Sequence, residues 1–276
     1  MPASPTKIEV DSGLVFDALV AGPDDGEVVL LLHGFPQSSA MWLPQLEALA
    51  GAGYRAVAFD QRGYSPGARP AEVEQYRIGH LVEDALAVAG PKPFHVVGHD
   101  WGGVVGWHLA AKHPERIRTL TALSVPHPLA FATALLSPGS DQRAQSGYVA
   151  FFRMKDVAEE ALLSGGLAAA LVASAYPGDI EERVRAMSEP GALTAALNWY
   201  RAIDPSLIQG LGHVVVPTLY VWSTGDVALA REGAEATARY VEGPYRFEVL
   251  AGVSHWIPEE VPEPLNSVLL EHLAAQ

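Results

Sequence analysis

Apolar residues along this chain fall into short, nearly unbroken runs separated by amphipathic stretches. Glu27–Leu32, Tyr54–Phe59, Phe94–Val97 and Arg116–Leu123 are of strand length and show little alternation between apolar and polar positions. That is the pattern of strands buried on both faces, as in a parallel sheet. Between them, Ser38–Ala50, Ile78–Ala89 and Trp101–Lys112 have helical spacing, with stops at Gly51, Gly90-Pro91 and His113-Pro114. The rhythm breaks after residue 125. Helical or irregular segments follow, at about 148–163, 166–175, 180–187 and 193–203. It then resumes with a strand at 214–222, a helix at 230–241, a strand at 245–250 and a last helix at 264–275. Strands and helices alternating in this way predict an α/β fold, a mostly parallel central sheet flanked by helices. The late helical stretch predicts an inserted cap: residues 1–125 and 213–276 form the core and 126–212 the cap.

Composition narrows the class. Of 276 residues, 49% are apolar and 18% charged, which suits a folded globular chain rather than a disordered one. Acidic residues outnumber basic ones 32 to 18, a formal charge of −14, so nucleic acid and anionic membrane surfaces are poor partners. The absence of cysteine excludes disulfides, thiolate metal sites and a cysteine nucleophile. The opening MPASPTKIEV lacks the features of a signal peptide, and the longest apolar stretch, Gly165–Ala175, falls short of the roughly 18 residues of a membrane span. The expectation is a cytoplasmic protein, monomer or homodimer, acting on a small molecule without metal or cofactor.

Val96-Val97-Gly98-His99-Asp100-Trp101-Gly102-Gly103 carries the strongest chemical signal. Here a strand runs through Gly-x-Asp-x-Gly directly into a helix. Small residues on both sides of the central one let strand and helix close through a sharp turn that holds the middle side chain above the sheet edge. By itself the motif reads more readily as an aspartate capping the next helix. Its glycines, with Gly106, superficially suggest a dinucleotide loop, but the turn and close helix packing account for them. Two loops at strand ends supply partners. Asp226 stands in Trp222-Ser-Thr-Gly-Asp226, and His255 in Gly252-Val-Ser-His-Trp256. The order 100, 226, 255 is nucleophile, acid, base. His33-Gly34-Phe35-Pro36, after an earlier strand, is placed to give a backbone N–H from Phe35 to an oxyanion hole, with Trp101 giving the second. His33 itself reads as a brace for that loop.

HGFPQSS, DQRGY, GHDWGG, the Asp226 loop and SHW together resemble the epoxide hydrolase branch of the α/β-hydrolase superfamily, over nearly the whole chain. The resemblance implies an aspartate that attacks carbon and a cap with two tyrosines that hold and protonate the epoxide oxygen. Leu197-Asn-Trp-Tyr200-Arg201 is similar to the segment bearing one, and Gly147-Tyr148-Val-Ala-Phe-Phe152, followed by Asp156–Glu159, to the segment bearing the other.

An aspartate is already ionised at neutral pH and needs no base to attack an sp³ carbon. The ester it forms is then hydrolysed by water activated by His255, itself oriented by Asp226. Haloalkane and haloacid dehalogenases of the same fold share this core but need donors for a departing halide. Trp101 also matches a halide donor of haloalkane dehalogenases. Fluoroacetate dehalogenases have a similar HGFPQ loop but carry arginine where this chain has Trp101, and their cap His and Trp align with Val149 and Ala150. A non-catalytic binding protein of this fold is a further alternative, although all three triad positions are filled. A serine esterase is disfavoured because Ser124, Ser223 and Ser254 lack the glycine framing of an elbow, and a cofactor-free haloperoxidase or lyase because residue 100 is Asp. Phe35, Trp101, Phe151, Phe152, Trp199 and Trp256 suggest an apolar or aromatic substrate cleft.

Overall fold

The computed structural model describes residues 2–275. Eight strands form one sheet: β1 (Ser4–Glu9), β2 (Val15–Ala21), β3 (Val28–Leu32), β4 (Arg55–Phe59), β5 (Phe94–His99), β6 (Ile117–Leu123), β7 (Thr218–Ser223) and β8 (Tyr245–Leu250). Their order across the sheet is β1-β2-β4-β3-β5-β6-β7-β8, and from β4 to β8 all neighbours are parallel. The apolar runs have the burial that their lack of alternation predicts, since both faces of the sheet are covered. In β3, Leu30 and Leu32 join one apolar cluster with helices Ile78–Ala89 and Trp101–Lys112. Val29 and Leu31 join the other with Leu46, Leu49, Leu265 and Leu269, from helices Leu43–Gly51 and Pro262–Ala274. Each such buried side chain contributes on the order of 1.5–3 kcal/mol.

The β1–β2 hairpin has no counterpart in the apolar pattern. β1 is an exposed edge strand, SPTKIE, paired antiparallel to β2 and turned at Gly13, so it has no buried face to leave an apolar signature. The expected strand 214–222 is shorter, with Val214 making only an isolated bridge to Val241.

The stretch between β6 and β7 is a helical insert. It holds two short helices that periodicity did not predict, Pro128–Leu136 and Asp141–Gln145. The first is apolar nearly all round, and it packs against the core helix Arg231–Ala236. The expected helix at 148–163 is split into Gly147–Phe152 and Val157–Ala161, with a break at Asp156, whose φ is +66°. Ile180–Ser188 and Ala192–Arg201 complete the insert's longer helices. No helix among the described residues is long and apolar enough to cross a membrane.

One buried ion pair ties insert to core. Arg62 donates to both Asp84 oxygens at 2.6 and 2.7 Å, with both side chains almost wholly buried. The Arg62 carbonyl accepts the Trp199 indole N–H at 2.8 Å. Removing one member of such a pair strands a buried charge. Asp84→Ala is therefore expected to cost about 3–5 kcal/mol in urea denaturation. An unchanged midpoint would mean that Arg62 finds another partner.

Candidate active site

Asp100 joins β5 to helix Trp101–Lys112 with φ 52° and ψ −123°, a conformation that non-glycine residues rarely hold. The neighbouring glycines make this possible. A Cβ on Gly98 would lie 2.2 Å from the Gly102 carbonyl oxygen, and one on Gly102 would lie 2.0 Å from the Leu32 carbonyl oxygen. Although Asp100 occupies the N-cap position, its carboxylate makes no side-chain cap bond to the helix. Oδ1 instead accepts the Phe35 N–H at 2.8 Å, and the Trp101 N–H also supports the carboxylate. The helix-cap reading of GxDxG is thereby excluded by geometry.

The loop that supplies the Phe35 N–H is held from three sides. His33 Nδ1 bonds the Gly34 carbonyl at 2.9 Å, so Nε2 is free to accept the Gln61 N–H at 3.0 Å. The Gln61 side chain donates to the His33 carbonyl at 2.5 Å. A Cβ on Gly34 would fall 2.1 Å from Asp100 Oδ1. His33 is thus the brace that the sequence suggested, and Gln61 of DQRGY is its counterpart.

His255 Nε2 lies 3.8 Å from Asp100 Oδ2, too long for a hydrogen bond, which leaves that oxygen unencumbered. His255 Nδ1 donates to Asp226 Oδ2 at 2.7 Å. Asp226 is in turn fixed through Oδ1 by the backbone N–H groups of Ala228 at 2.8 Å and Leu229 at 3.0 Å. Gln142, which no motif flagged, clamps this loop from the insert. Its side chain donates to the Ala228 carbonyl and accepts the Ala230 N–H. A lone glutamine outside any motif carries no sequence signal for this role.

Burial pushes the Asp100 carboxyl above its ordinary range, while His255 and the two backbone N–H groups pull it back. Burial opposes the charged form of His255, but the Asp226 carboxylate and its hydrogen bond outweigh it, so the imidazole is raised above 6.5.

A cavity of about 520 Å³ opens over Asp100, lined mostly by apolar residues of the insert, among them Phe131, Leu135 and Ile208. Tyr148, Tyr200, Trp101, Val149 and Ala150 also line it. Burial, then the Asp100 charge, raises both tyrosines well above 10, and neither hydroxyl donates to a protein acceptor among the described residues. Of the residues expected to contact substrate, Phe151, Trp199 and Trp256 do not line the cavity. The Trp199 indole is committed to Arg62 and packs on Tyr64 and Trp101. The Trp256 indole is committed to the Ser174 carbonyl at 3.0 Å. The Phe151 ring lies against Phe152. These rings serve as framework. The Phe35 side chain likewise serves packing, its ring 5.2 Å from Phe152 and 5.7 Å from Tyr200.

A strained aspartate turn, a His–Asp pair at the next strand ends and a helical insert over the C-terminal sheet edge define an α/β hydrolase. The chain matches the α/β hydrolase fold family over residues 27–262 and belongs to it. It is 36% identical to the AB hydrolase superfamily protein YfhM of Bacillus subtilis, covering 96% of each chain. It is also 31% identical to epoxide hydrolase A of Mycobacterium tuberculosis, covering 98% of each. Among solved structures, epoxide hydrolase A of Mycobacterium thermoresistibile superposes with a TM-score of 0.85 at 26% identity, covering 99% of this chain and 98% of that one.

The His255–Asp226 contact generates a direct expectation. In an NMR titration His255 should have its midpoint above 6.5, and Asp226→Asn should lower it. A midpoint at or below 6.5 in the parent protein would contradict the pairing.

Proposed function

We propose that this hydrolase is an epoxide hydrolase, opening an apolar epoxide to a vicinal diol through an ester on Asp100. The observation that carries the reading is the convergence on the Asp100 cavity of two tyrosine hydroxyls, Tyr148 and Tyr200, that donate to no protein acceptor among the described residues; Tyr200 only accepts, from the Trp101 indole. The named relatives among epoxide hydrolases support it.

In the first half-reaction Asp100 Oδ2 attacks an epoxide carbon. The carbon–oxygen bond breaks, and the departing oxygen takes a proton from Tyr148 or Tyr200 while hydrogen-bonding the other. An alkoxide is far more basic than phenolate, so tyrosines raised above 10 still donate. In the second, His255 Nε2 takes a proton from water, whose oxygen attacks the Asp100 carbonyl carbon. Oδ1 already accepts the Phe35 N–H, and the Trp101 N–H supports the same carboxyl, so the negative charge forms where donors are waiting. On collapse the ester C–O bond breaks, the leaving diol oxygen takes the proton that the attacking water left on the intermediate, Asp100 is again a carboxylate, and the tyrosinate recovers its proton from the imidazolium through water.

A halide-releasing reaction on the same core needs donors at the leaving group. Trp101 lines the cavity, but its indole N–H is engaged by the Tyr200 hydroxyl; the Trp199 N–H is bound to Arg62, and Val149 and Ala150 have nothing to donate. Tyrosine hydroxyls suit an oxygen that must be protonated, which favours the epoxide.

With purified protein, aryl and alkyl epoxides should yield diol, whereas haloalkanes and fluoroacetate release no halide. Halide release without diol would overturn the reading. His255→Ala should accumulate the alkyl ester, visible as a mass increase of the intact protein equal to the epoxide, and Asp100→Asn should show none. Tyr200→Phe should lower the rate of ester formation by on the order of tenfold to a hundredfold, part of a general acid's usual contribution because Tyr148 remains. Since water activation needs neutral His255, turnover should fall as pH drops through a midpoint above 6.5.

A further inference from the structure

A hydrogen-bonded chain runs away from His255 on the side opposite Asp226. The His255 carbonyl accepts from His99 Nε2 at 2.8 Å and from Ser124 Oγ at 3.0 Å. His99 Nδ1 lies 3.2 Å from Gln37 Oε1, and Gln37 Nε2 meets Glu259 Oε2, so the amide stands between them in one of two orientations related by exchange of its oxygen and nitrogen. Glu259 Oε1 accepts the Tyr176 hydroxyl of the insert at 3.0 Å. None of these groups beyond His255 takes part in the chemistry above.

Donors and acceptors along the chain can be counted. A carbonyl only accepts, so His99 Nε2 carries a hydrogen. His99 is wholly buried, and burial followed by the proximity of His255 holds it well below 6.5, so it is neutral and Nδ1 is a bare lone pair. The Gln37 end facing Nδ1 must then be the NH₂, because amide orientation is fixed by the hydrogen-bond network. That turns the Gln37 oxygen toward Glu259 Oε2, and two oxygens at hydrogen-bond distance require a proton between them. With Oε1 left toward His99 and Nε2 toward Glu259, His99 would have to be a buried imidazolium beside a second histidine whose own charge is favoured. One extra proton therefore resides in this chain in either orientation, and the electrostatics put it on the carboxyl.

We propose that Glu259 is a positioning residue, protonated in the working enzyme, that holds the His255 backbone in register through Gln37 and His99. The proposal rests on the reading of His255 as the base. Burial already pushes Glu259 up to about 7, against the Tyr176 hydroxyl, the Arg183 charge and a bond from Gln37 that the reversed amide would not donate. Arg183 is the cation facing it, and it is shared with Glu182 and Ser38. Of the other charged groups nearby, Glu260 accepts from Ser254, and Asp60 accepts the Ser39 N–H. Glu47 and Glu263 are exposed, Glu271 pairs with Arg246, and His272 lies by Leu120 and Pro217. When Glu259 ionises, Gln37 must turn its NH₂ toward the carboxylate and its oxygen toward the His99 lone pair. The contact becomes repulsive, and His99 loosens from the His255 carbonyl.

The test uses nitrogen-15 histidine NMR and the Glu259→Gln variant, whose amide mimics the protonated acid at every pH. The His99 nitrogens should show a neutral ring protonated at Nε2, with signals that move near pH 7 in the parent and not in E259Q. With an epoxide substrate, the E259Q-to-parent ratio of kcat should rise by roughly fivefold between pH 6 and 8, the weight of one net hydrogen bond. A carboxyl raised on folding lends stability that is complete below about 4.5 and lost as pH rises through about 7, so the E259Q-minus-parent difference in Tm should grow over that window. Tyr176→Phe, which removes a bond favouring the carboxylate, should move the His99 transition to higher pH. An imidazolium at His99 at pH 6, or His99 signals that ignore pH in the parent, would overturn the proposal. The NMR and Tm measurements need no substrate, so they decide it even if no epoxide is turned over.

Discussion

The contact on which the site depends is backbone against backbone, where β5 turns into helix Trp101–Lys112. Helix and strands approach so closely there that Gly98 and Gly102 have no room for a Cβ against the Gly102 and Leu32 carbonyls. The approach forces Asp100 into a positive φ, and that conformation lifts its carboxylate off the helix N-terminus it would otherwise cap. Every later feature follows from where the carboxylate then lies. Gly34 must be glycine because Asp100 Oδ1 occupies the space a side chain would take, and the Phe35 N–H can reach that oxygen only because Gly34 is bare.

The two oxygens of Asp100 are thereby made unequal. One accepts the Phe35 N–H and the other lies 3.8 Å from His255, beyond hydrogen-bond reach. Asp226 shows the same division, with one oxygen given to backbone N–H groups and one to the imidazole. In each case fixed amide dipoles hold the carboxylate while leaving one lone pair for chemistry. Preorganisation of this kind has little to rearrange when charge develops. It also explains how two buried carboxylates coexist in one site: each has its own donors, and the imidazole between them is drawn toward its charged form.

The fold class and the triad were legible because their determinants are local. Parallel strands buried on both faces must read as apolar runs, and an elbow without glycines cannot close, so both leave marks in contiguous residues. What escaped has non-local causes. β1 is exposed and gains its order from pairing with β2, which no apolar pattern records. The aromatic residues misled for a related reason. Trp199, Trp256 and Phe151 are close in sequence to site residues, but side chains one position apart on a helix point to different sides, so Tyr200 faces the cavity while Trp199 faces Arg62 and the core. Gln61, Gln142, Gln37 and Glu259 act through hydrogen bonds across distant segments; DQRGY and HGFPQSS mark the places of Gln61 and Gln37 but not the bonds they make, and Gln142 and Glu259 stand in no motif.

Those four polar residues share a physical logic. Each joins a loop bearing a reactive group to a segment that must not move: Gln61 the oxyanion loop, Gln142 the acid loop, and Gln37 with Glu259 the histidine loop. A buried amide suits this task because it donates and accepts at once and carries no charge to perturb the nucleophile. A buried carboxyl can do the same only while it keeps its proton. Placing one at the end of a chain that begins at His255 makes the geometry of the base depend on a proton the reaction itself does not use. The Tyr176 hydroxyl brings the insert into that dependence, so the insert and the base share one hydrogen-bonded network.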